Sequence, residues 1–376
     1  MSTRSLLFVT SEAWISACKA VGPMTPASLF DLMDPRRLAK GAAAFALGFT
    51  VSHSDLDSVT SHMDEVQRRG VLRCGVDTGL VGFAQTDETG SWSGFEVELC
   101  RAYAAAFLND PDRAEFIPTT TLDRFRAVRE GEVDILLRNT SWTLSRATLQ
   151  GVRFAGIYYY DGQGFLTPAD LGLTSAQELS GARICVQPET TSALNLDDYA
   201  ERYGLDFTIV SVETVADART AYEAGQCDAF TSDVSRLAGF RRSLSEPDRH
   251  MVLPDVISKE PLSPVVRDDD DAFAMAVEWV LTSLIAAEEY GVTQSQAASA
   301  DQTSSRPEVR RLLEVDEEVA ASLGLENDFA RQAIAVGGHY GELFERNLGE
   351  ASQLQLERGL NAQWKEGGLL YAPPVR

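Results

Sequence analysis

Four short stretches carry the residues best suited to gripping a small charged solute. Residues 139–146 read NTSWTLSR and hold Asn139, Thr140, Ser141, Trp142 and Arg146. Asp233 closes the run CDAFTSD, Thr190 and Thr191 follow ARICVQ, and Asp77 ends VLRCGVD. An arginine fork grips a carboxylate bidentately, and an aspartate pairs with an ammonium. Either ligand charge, buried unpaired, is costly. Backbone N–H groups at a helix start, as expected at Thr190–Thr191, favour an anion. Asp233 also fits a helix N-cap, and the two uses are compatible. Trp142 and Tyr160 are candidate apolar walls, although ordinary packing explains Trp142 equally well. Catalysis is poorly served. The chain has 4 histidines; His53 and His62 precede the folded body, and His250 and His339 lie away from these loops. No Cys-x-x-Cys or His cluster offers a metal site, and no cofactor is expected.

Each of these stretches sits after a strand-like run. Val71–Asp77, Ala114–Thr120 and Val133–Asn139 are β-rich, and the helical runs Gly94–Leu108 and Leu122–Glu130 separate them. A second unit repeats the order: strands Ala182–Gln187, Phe207–Val212 and Cys227–Ser232, with helices Ser192–Tyr203, Val215–Ala224 and Val234–Leu244. Such βαβαβ units build parallel sheets that bind ligands at the carboxyl ends of their strands. Two extended segments, Ile157–Pro168 and Asp255–Val266, join the units, so the chain leaves the first lobe, builds the second and returns. The expected fold is α/β: two Rossmann-like lobes, a two-segment hinge and a cleft between them. Lobe one takes residues 66–162 and 262–376, and lobe two takes 163–261. Helix Asp271–Tyr290 has one apolar face to pack back on lobe one, and the aspartates 268–271 suit its N-terminus. Residues 291–376 hold at least two more helices, a short one at Glu308–Leu313 and a longer one at Asp328–Asn347 interrupted by Gly337-Gly338, and form a helical C-terminal extension.

Ahead of the body, Arg36, Arg37 and Lys40 precede the apolar stretch Gly41–Val51. This is the layout of an export signal, too short to span a bilayer. Met33 is then the expected start, with residues 1–54 removed. The alternatives are a lipoprotein signal ending at Cys18, a twin-arginine signal at Arg36-Arg37, and a plain N-terminal helix.

Acidic residues number 56 and basic residues 33 of 376, giving a net charge of −23. A surface this acidic repels phosphate backbones, so nucleic acid is disfavoured as a partner. Of 5 cysteines, Cys74 and Cys100 fall in lobe one, Cys185 and Cys227 in lobe two. Bridges Cys74–Cys100 and Cys185–Cys227 would staple each lobe without locking the hinge; four free thiols in a reducing compartment are the alternative.

The runs RCGVDTGLVGF (73–83), GFEVELCRAYAAA (94–106), VDILLRNTSWTLSRATLQGVRFAGIYYYDGQGF (133–165) and CDAFTSDVSR (227–236) resemble the substrate-binding proteins of polar-amino-acid ABC transporters. The tail RGLNAQWKEGGLLYAPPVR (358–376) is similar to the general L-amino-acid branch. The resemblance spans about Val66 to Arg376. It implies the type 2 periplasmic binding protein fold, a periplasmic monomer, free L-amino acids as ligands and a membrane permease as partner. It implies that Arg146 holds the ligand carboxylate, Asp233 its ammonium, and that Asp77 faces the side-chain subsite. Two departures stand out: Glu189 replaces a glycine before the Thr pair, and Leu80 replaces an aromatic residue. Glu189 could add negative charge at the pocket rim or point to solvent. A dehydratase of small carboxylic acids on the same fold, and an amino-acid sensor domain, are the rival functions.

Overall fold

The computed structural model describes residues 61–299 and 306–376. The readings on Cys18, Met33, Arg36-Arg37 and His53 lie outside these residues. Helix α1 (His62–Arg69) leads into strand β1 (Leu72–Val76). A small antiparallel meander follows, β2 (Gly79–Leu80), β3 (Ala84–Thr86) and β4 (Trp92–Ser93). Helix α2 (Phe95–Leu108) comes next. Only glycine fits its N-cap: Gly94 has φ +125°, and a Cβ there would lie 2.2 Å from the Phe83 carbonyl oxygen. Strand β5 (Ala114–Pro118), helix α3 (Arg124–Arg129), strand β6 (Ile135–Leu136), helix α4 (Leu144–Leu149) and strand β7 (Val152–Phe154) complete the first passage. The chain then crosses through β8 (Tyr159–Asp161) into β9 (Gln163–Pro168).

Beyond the crossing come β10 (Arg183–Val186), α5 (Thr191–Tyr203), β11 (Thr208–Ser211), α6 (Val215–Glu223), β12 (Ala229–Asp233), α7 (Val234–Ser243) and β13 (His250–Val252). The return runs through β14 (Glu260–Leu262) and β15 (Val265–Arg267) into the long helix α8 (Asp271–Tyr290). One sheet has the order β5-β1-β6-β15-β7 and the other β11-β10-β12-β9-β13. In each, the first three strands are parallel, and the strand arriving from the crossing side is antiparallel to them. The crossings themselves pair as a two-stranded antiparallel ribbon, Asp161 opposite Glu260 and Tyr159 opposite Leu262. The protein is thus two α/β lobes on a paired hinge.

The core of the first sheet extends into the C-terminal helices. Phe273, Val277, Val280, Leu281, Leu284 and Ile285 of α8 are buried in one cluster with Leu72, Val76, Leu99 and Tyr103. The aspartate run acts as a cap: Asp270 accepts a hydrogen bond from the Phe273 N–H at 2.9 Å. Asp270 also accepts from the backbone N–H of His62 at 2.8 Å. His62, read from sequence as preceding the folded body, is packed into it, buried against Asp134 and stacked on Phe273 at 4.2 Å. A lone histidine ahead of a weak helical run gives no periodicity by which to see that.

The C-terminal extension grips the hinge. The Asn361 side chain pairs with both backbone groups of Tyr160, at 2.7 and 3.0 Å. Tyr340 donates to the Tyr158 carbonyl oxygen at 2.8 Å. Both disulfides are present: Cys74–Cys100 ties β1 to α2, and Cys185–Cys227 ties β10 to the loop before β12.

Candidate functional site

The cleft is built where strand ends of the two sheets face each other. From one side come the loop after β6 and the end of β1; from the other come the start of α5 and the end of β12. At one end of the cleft the lobes line a half-open pocket of about 340 Å³, bounded by Asp77, Thr120 and Arg138 and, across it, by Gln187, Glu213 and Thr214. At the other end polar side chains of the two lobes meet directly.

Asn139 stands at that meeting point. Its φ is +45°, a left-handed conformation that turns the chain sharply after β6. Its side-chain amide donates to Asp233 Oδ2 at 2.7 Å, joining the lobes. Its backbone N–H donates to Glu96 Oε1 at 2.7 Å. Thr140 turns inward, its hydroxyl donating to the Arg138 carbonyl oxygen at 3.0 Å. Ser141 donates its hydroxyl to Glu260. Arg146 donates to the Ser141 carbonyl oxygen at 3.0 Å and lies over the Phe125 ring at 5.7 Å. Burial lowers the Arg146 guanidinium from its ordinary range, while Glu260 and Asp233 act to hold its proton.

Across the cleft Thr190 caps α5, accepting from the Ala193 N–H at 3.2 Å. Thr191 donates its hydroxyl to Glu260 Oε2 at 2.9 Å. Asp233 sits at the N-cap position of α7 but makes no side-chain cap bond, which corrects the dual use expected from sequence. The hinge residue Asp161 serves instead, accepting from the Ser235 N–H at 3.3 Å and the Gly162 N–H at 2.9 Å. That frees the Asp233 carboxylate to face the other lobe. Burial, then Asp161 and Glu260, push the Asp233 carboxyl well above the usual range. Burial likewise raises Asp161, to about 6.

Asp77 is not free. Its Oδ2 pairs with Arg138 at 3.1 Å and with Arg236 of the opposite lobe at 3.4 Å. Its Oδ1 accepts from the N–H groups of Thr78 and Gly79. Burial opposes its ionisation, but Arg236 and Arg138 outweigh that and hold the carboxyl below the usual range. Trp142 stacks flat on Phe154, with centroids 5.6 Å apart, and stays 41% exposed. Glu189 takes the left-handed φ of +56° that a glycine would favour, and its side chain is exposed. Leu80 is buried in the core.

Sequence residues 72–296 match the bacterial extracellular solute-binding proteins, family 3. The chain belongs to that family. Among family 3 relatives, the general L-amino acid-binding periplasmic protein of Rhizobium johnstonii is 45% identical over 340 residues, 90% of this chain and 98% of its own. The glutamate/glutamine/aspartate/asparagine-binding protein of Rhodobacter capsulatus is 45% identical over 316 residues, covering 84% of this chain and 94% of its own. An ABC transporter periplasmic binding protein from Brucella ovis, solved with glutathione bound, superposes with a TM-score of 0.82 at 46% identity, over 84% of this chain and 99% of that one. These relatives are binding proteins and not dehydratases, so the family 3 role of this chain is solute binding.

Several cleft residues of this family 3 protein escaped the sequence reading. Glu260 accepts from Ser141, Thr191, Asn195 and Ser258, so both lobes and the hinge converge on one carboxylate. Glu96, fully buried, accepts from Tyr158 and Asn139 beneath the Arg146 loop. Arg124, Arg138 and Arg236 are 4%, 5% and 6% exposed. The available signal was charge within apolar strand or helix patterns: Arg138 follows Ile135-Leu136-Leu137, and Glu260 interrupts a hinge otherwise read as a spacer. Among the described residues, no helix is long and apolar enough to cross a membrane, and no group of acidic, His or Cys side chains is arranged to hold a metal.

Proposed function

We propose that this protein captures free L-amino acids between its lobes in the periplasm and delivers them to the membrane permease of an ABC transporter. The observation that carries the reading is the pairing of one arginine and one aspartate from opposite lobes. Arg146 lies in α4 after β6 and Asp233 ends β12, and the Asp233 charge acts on the Arg146 guanidinium across the cleft. A zwitterion supplies the missing partner to both. Its carboxylate would lie on Arg146, the Ser141 loop and the helix start at Thr190–Thr191; its ammonium would lie on Asp233 beside Glu260. The names of the Rhizobium and Rhodobacter relatives support the ligand class. In this reading lobe one comprises residues 66–162 and 262–376, lobe two comprises 163–261, the protein works as a monomer, and an export signal within residues 1–54 is removed.

The direct Asn139–Asp233 bond would give way as ligand enters, its two partners turning to the ammonium and the carboxylate. Ligand that binds only the native cleft raises stability by mass action, by about 2.7 kcal/mol at a hundred times its dissociation constant. A thermal-shift screen of the twenty amino acids should therefore show a rise with a subset of them. No rise with any amino acid would refute the proposal.

A further inference from the structure

Helix α7 starts at the cleft and continues along the junction of the two lobes. Asp233 stands at its N-cap, and the Ser235 N–H is fastened to Asp161 of the hinge. Leu237 and Phe240 enter the core of the second sheet. The residues at three-residue steps from Asp233 meet lobe one instead. Asp233 accepts from Asn139 at 2.7 Å, Arg236 pairs with Asp77 at 3.4 Å, and Arg242 donates to Gln355 at 3.4 Å. The remaining step is Gly239, which is buried. Glycine inside a helix costs stability relative to alanine, so its place here calls for a reason. That reason is close approach. A Cβ at Gly239 would lie 3.1 Å from the Val81 Cβ and 3.3 Å from the Val81 carbonyl oxygen, inside the usual contact distance between carbons. Leu354 Cδ2 would be 3.8 Å away. Ala238, next along α7, packs against the core of the first lobe.

The C-terminal extension places Leu354. This residue is 6% exposed and lies against Gly82, where a Cβ would come within 2.5 Å of its Cδ1. Its loop is held by the Leu356 N–H on the Leu348 carbonyl oxygen at 2.8 Å. The extension therefore grips the hinge at Asn361 and also supplies part of a second contact between the lobes. Gly239, Val81 and Leu354 do not line the pocket at Asp77. The chain passes between the lobes at the paired hinge strands, so rotation about them parts contacts set away from that axis. Gly239 lies four residues past Ser235, about 6 Å of helix rise beyond the point where α7 is fastened to the hinge.

We infer that Gly239 is a positioning residue for binding: with Val81 and Leu354 it forms a closing contact away from the ligand, which lets α7 bring Asp233 up to the cleft and sets the affinity for every ligand alike. The inference rests on the amino-acid reading above. A ligand held by the closed form binds more weakly in proportion to the fraction of protein able to close. A contact made on closure but remote from the ligand thus scales all affinities by one factor and leaves their ranking unchanged.

The test is calorimetric titration of the twenty L-amino acids into the full chain, first the wild type and then, for those that bind, Gly239→Ala, Gly239→Leu and the double variant Gly239→Ala with Val81→Gly. Gly239→Ala should weaken every ligand by one common factor of about 5 or more, and Gly239→Leu by about 100, the range that overpacking a closed contact produces. Removing the opposing Cβ in the double variant should restore most of the affinity lost in Gly239→Ala. The ligand-free melting temperature of Gly239→Ala should equal or exceed that of the wild type, because alanine suits the helix better. Affinity and stability then move in opposite directions, which simple damage to the fold would not produce. If Gly239→Ala binds as the wild type does, if it changes the ranking of ligands, or if it lowers affinity and melting temperature together, the Gly239 assignment falls and the amino-acid reading stands. If no amino acid binds the wild type, both fall.

Discussion

Glu96 links the architecture beneath the cleft to pH. It has no exposed surface, and burial lifts its carboxyl from 4.5 to about 7, against the hydrogen bonds from Tyr158 and Asn139 that favour the charged form. Asp77 adds to the rise. In the unfolded chain the same carboxyl titrates near its ordinary value. Between the two values the native protein holds a proton that the unfolded chain has released, so stability falls as pH climbs through this window. The gap corresponds to on the order of 3 kcal/mol. Asp161 and Asp233 are raised too and act with the same sign. The diagnostic quantity is therefore the difference between wild type and Glu96→Gln, since glutamine keeps the shape and an acceptor for Tyr158 and Asn139. Urea denaturation at pH 4.5, 5.5, 6.5 and 7.5 measures it. The variant should gain on the wild type by on the order of 3 kcal/mol between pH 4.5 and 7.5. Parallel stability curves for the two proteins would refute this electrostatic reasoning.

Two further perturbations follow from covalent and backbone features. The Cys74–Cys100 and Cys185–Cys227 bridges close loops of 26 and 42 residues. On the loop-entropy relation each contributes about 3.5 to 4 kcal/mol. Reduction should lower the melting temperature markedly and raise the mass by one hydrogen per sulfur; an unchanged melting temperature would contradict the stabilising role. Glu189 holds a left-handed φ of +56° with its side chain exposed. Glu189→Gly should raise stability by up to about 1 kcal/mol and leave the ranking of ligands unchanged. An altered ranking would place that carboxylate in the pocket.

Hydrophobic periodicity made the element order legible. The helix Asp271–Tyr290 matches its expected bounds, and its Asp270 cap was foreshadowed by the aspartate run. Boundaries slipped where side chains rather than periodicity set them: the expected strand Val133–Asn139 shrinks to Ile135–Leu136, ended by the turn at Asn139. The fold positions of Arg146, Thr191 and Asp233 were legible as stretches following or closing strand-like runs: Asp233 ends β12, Thr191 opens the helix after β10, and Arg146 lies in the helix after β6. The division of labour between Asp161 and Asp233 could not, because they are joined only by the antiparallel pairing of β12 with β9 and the hinge that precedes it. The ion pairs of Asp77 with Arg138 and Arg236 were not legible, because Arg236 lies 159 residues away on the other lobe. The Glu260 hub and the arginine cluster likewise exist only once two lobes face each other, and local spacing carries no record of that.

The central claim is that Arg146 holds the ligand's α-carboxylate inside the cleft. Calorimetric titration of an L-amino acid that stabilises the wild type, repeated on Arg146→Ala, tests it most directly. The account predicts a loss of about 3–5 kcal/mol of binding, about 100-fold or more in affinity, with circular dichroism unchanged. Affinity within threefold of the wild type would contradict it.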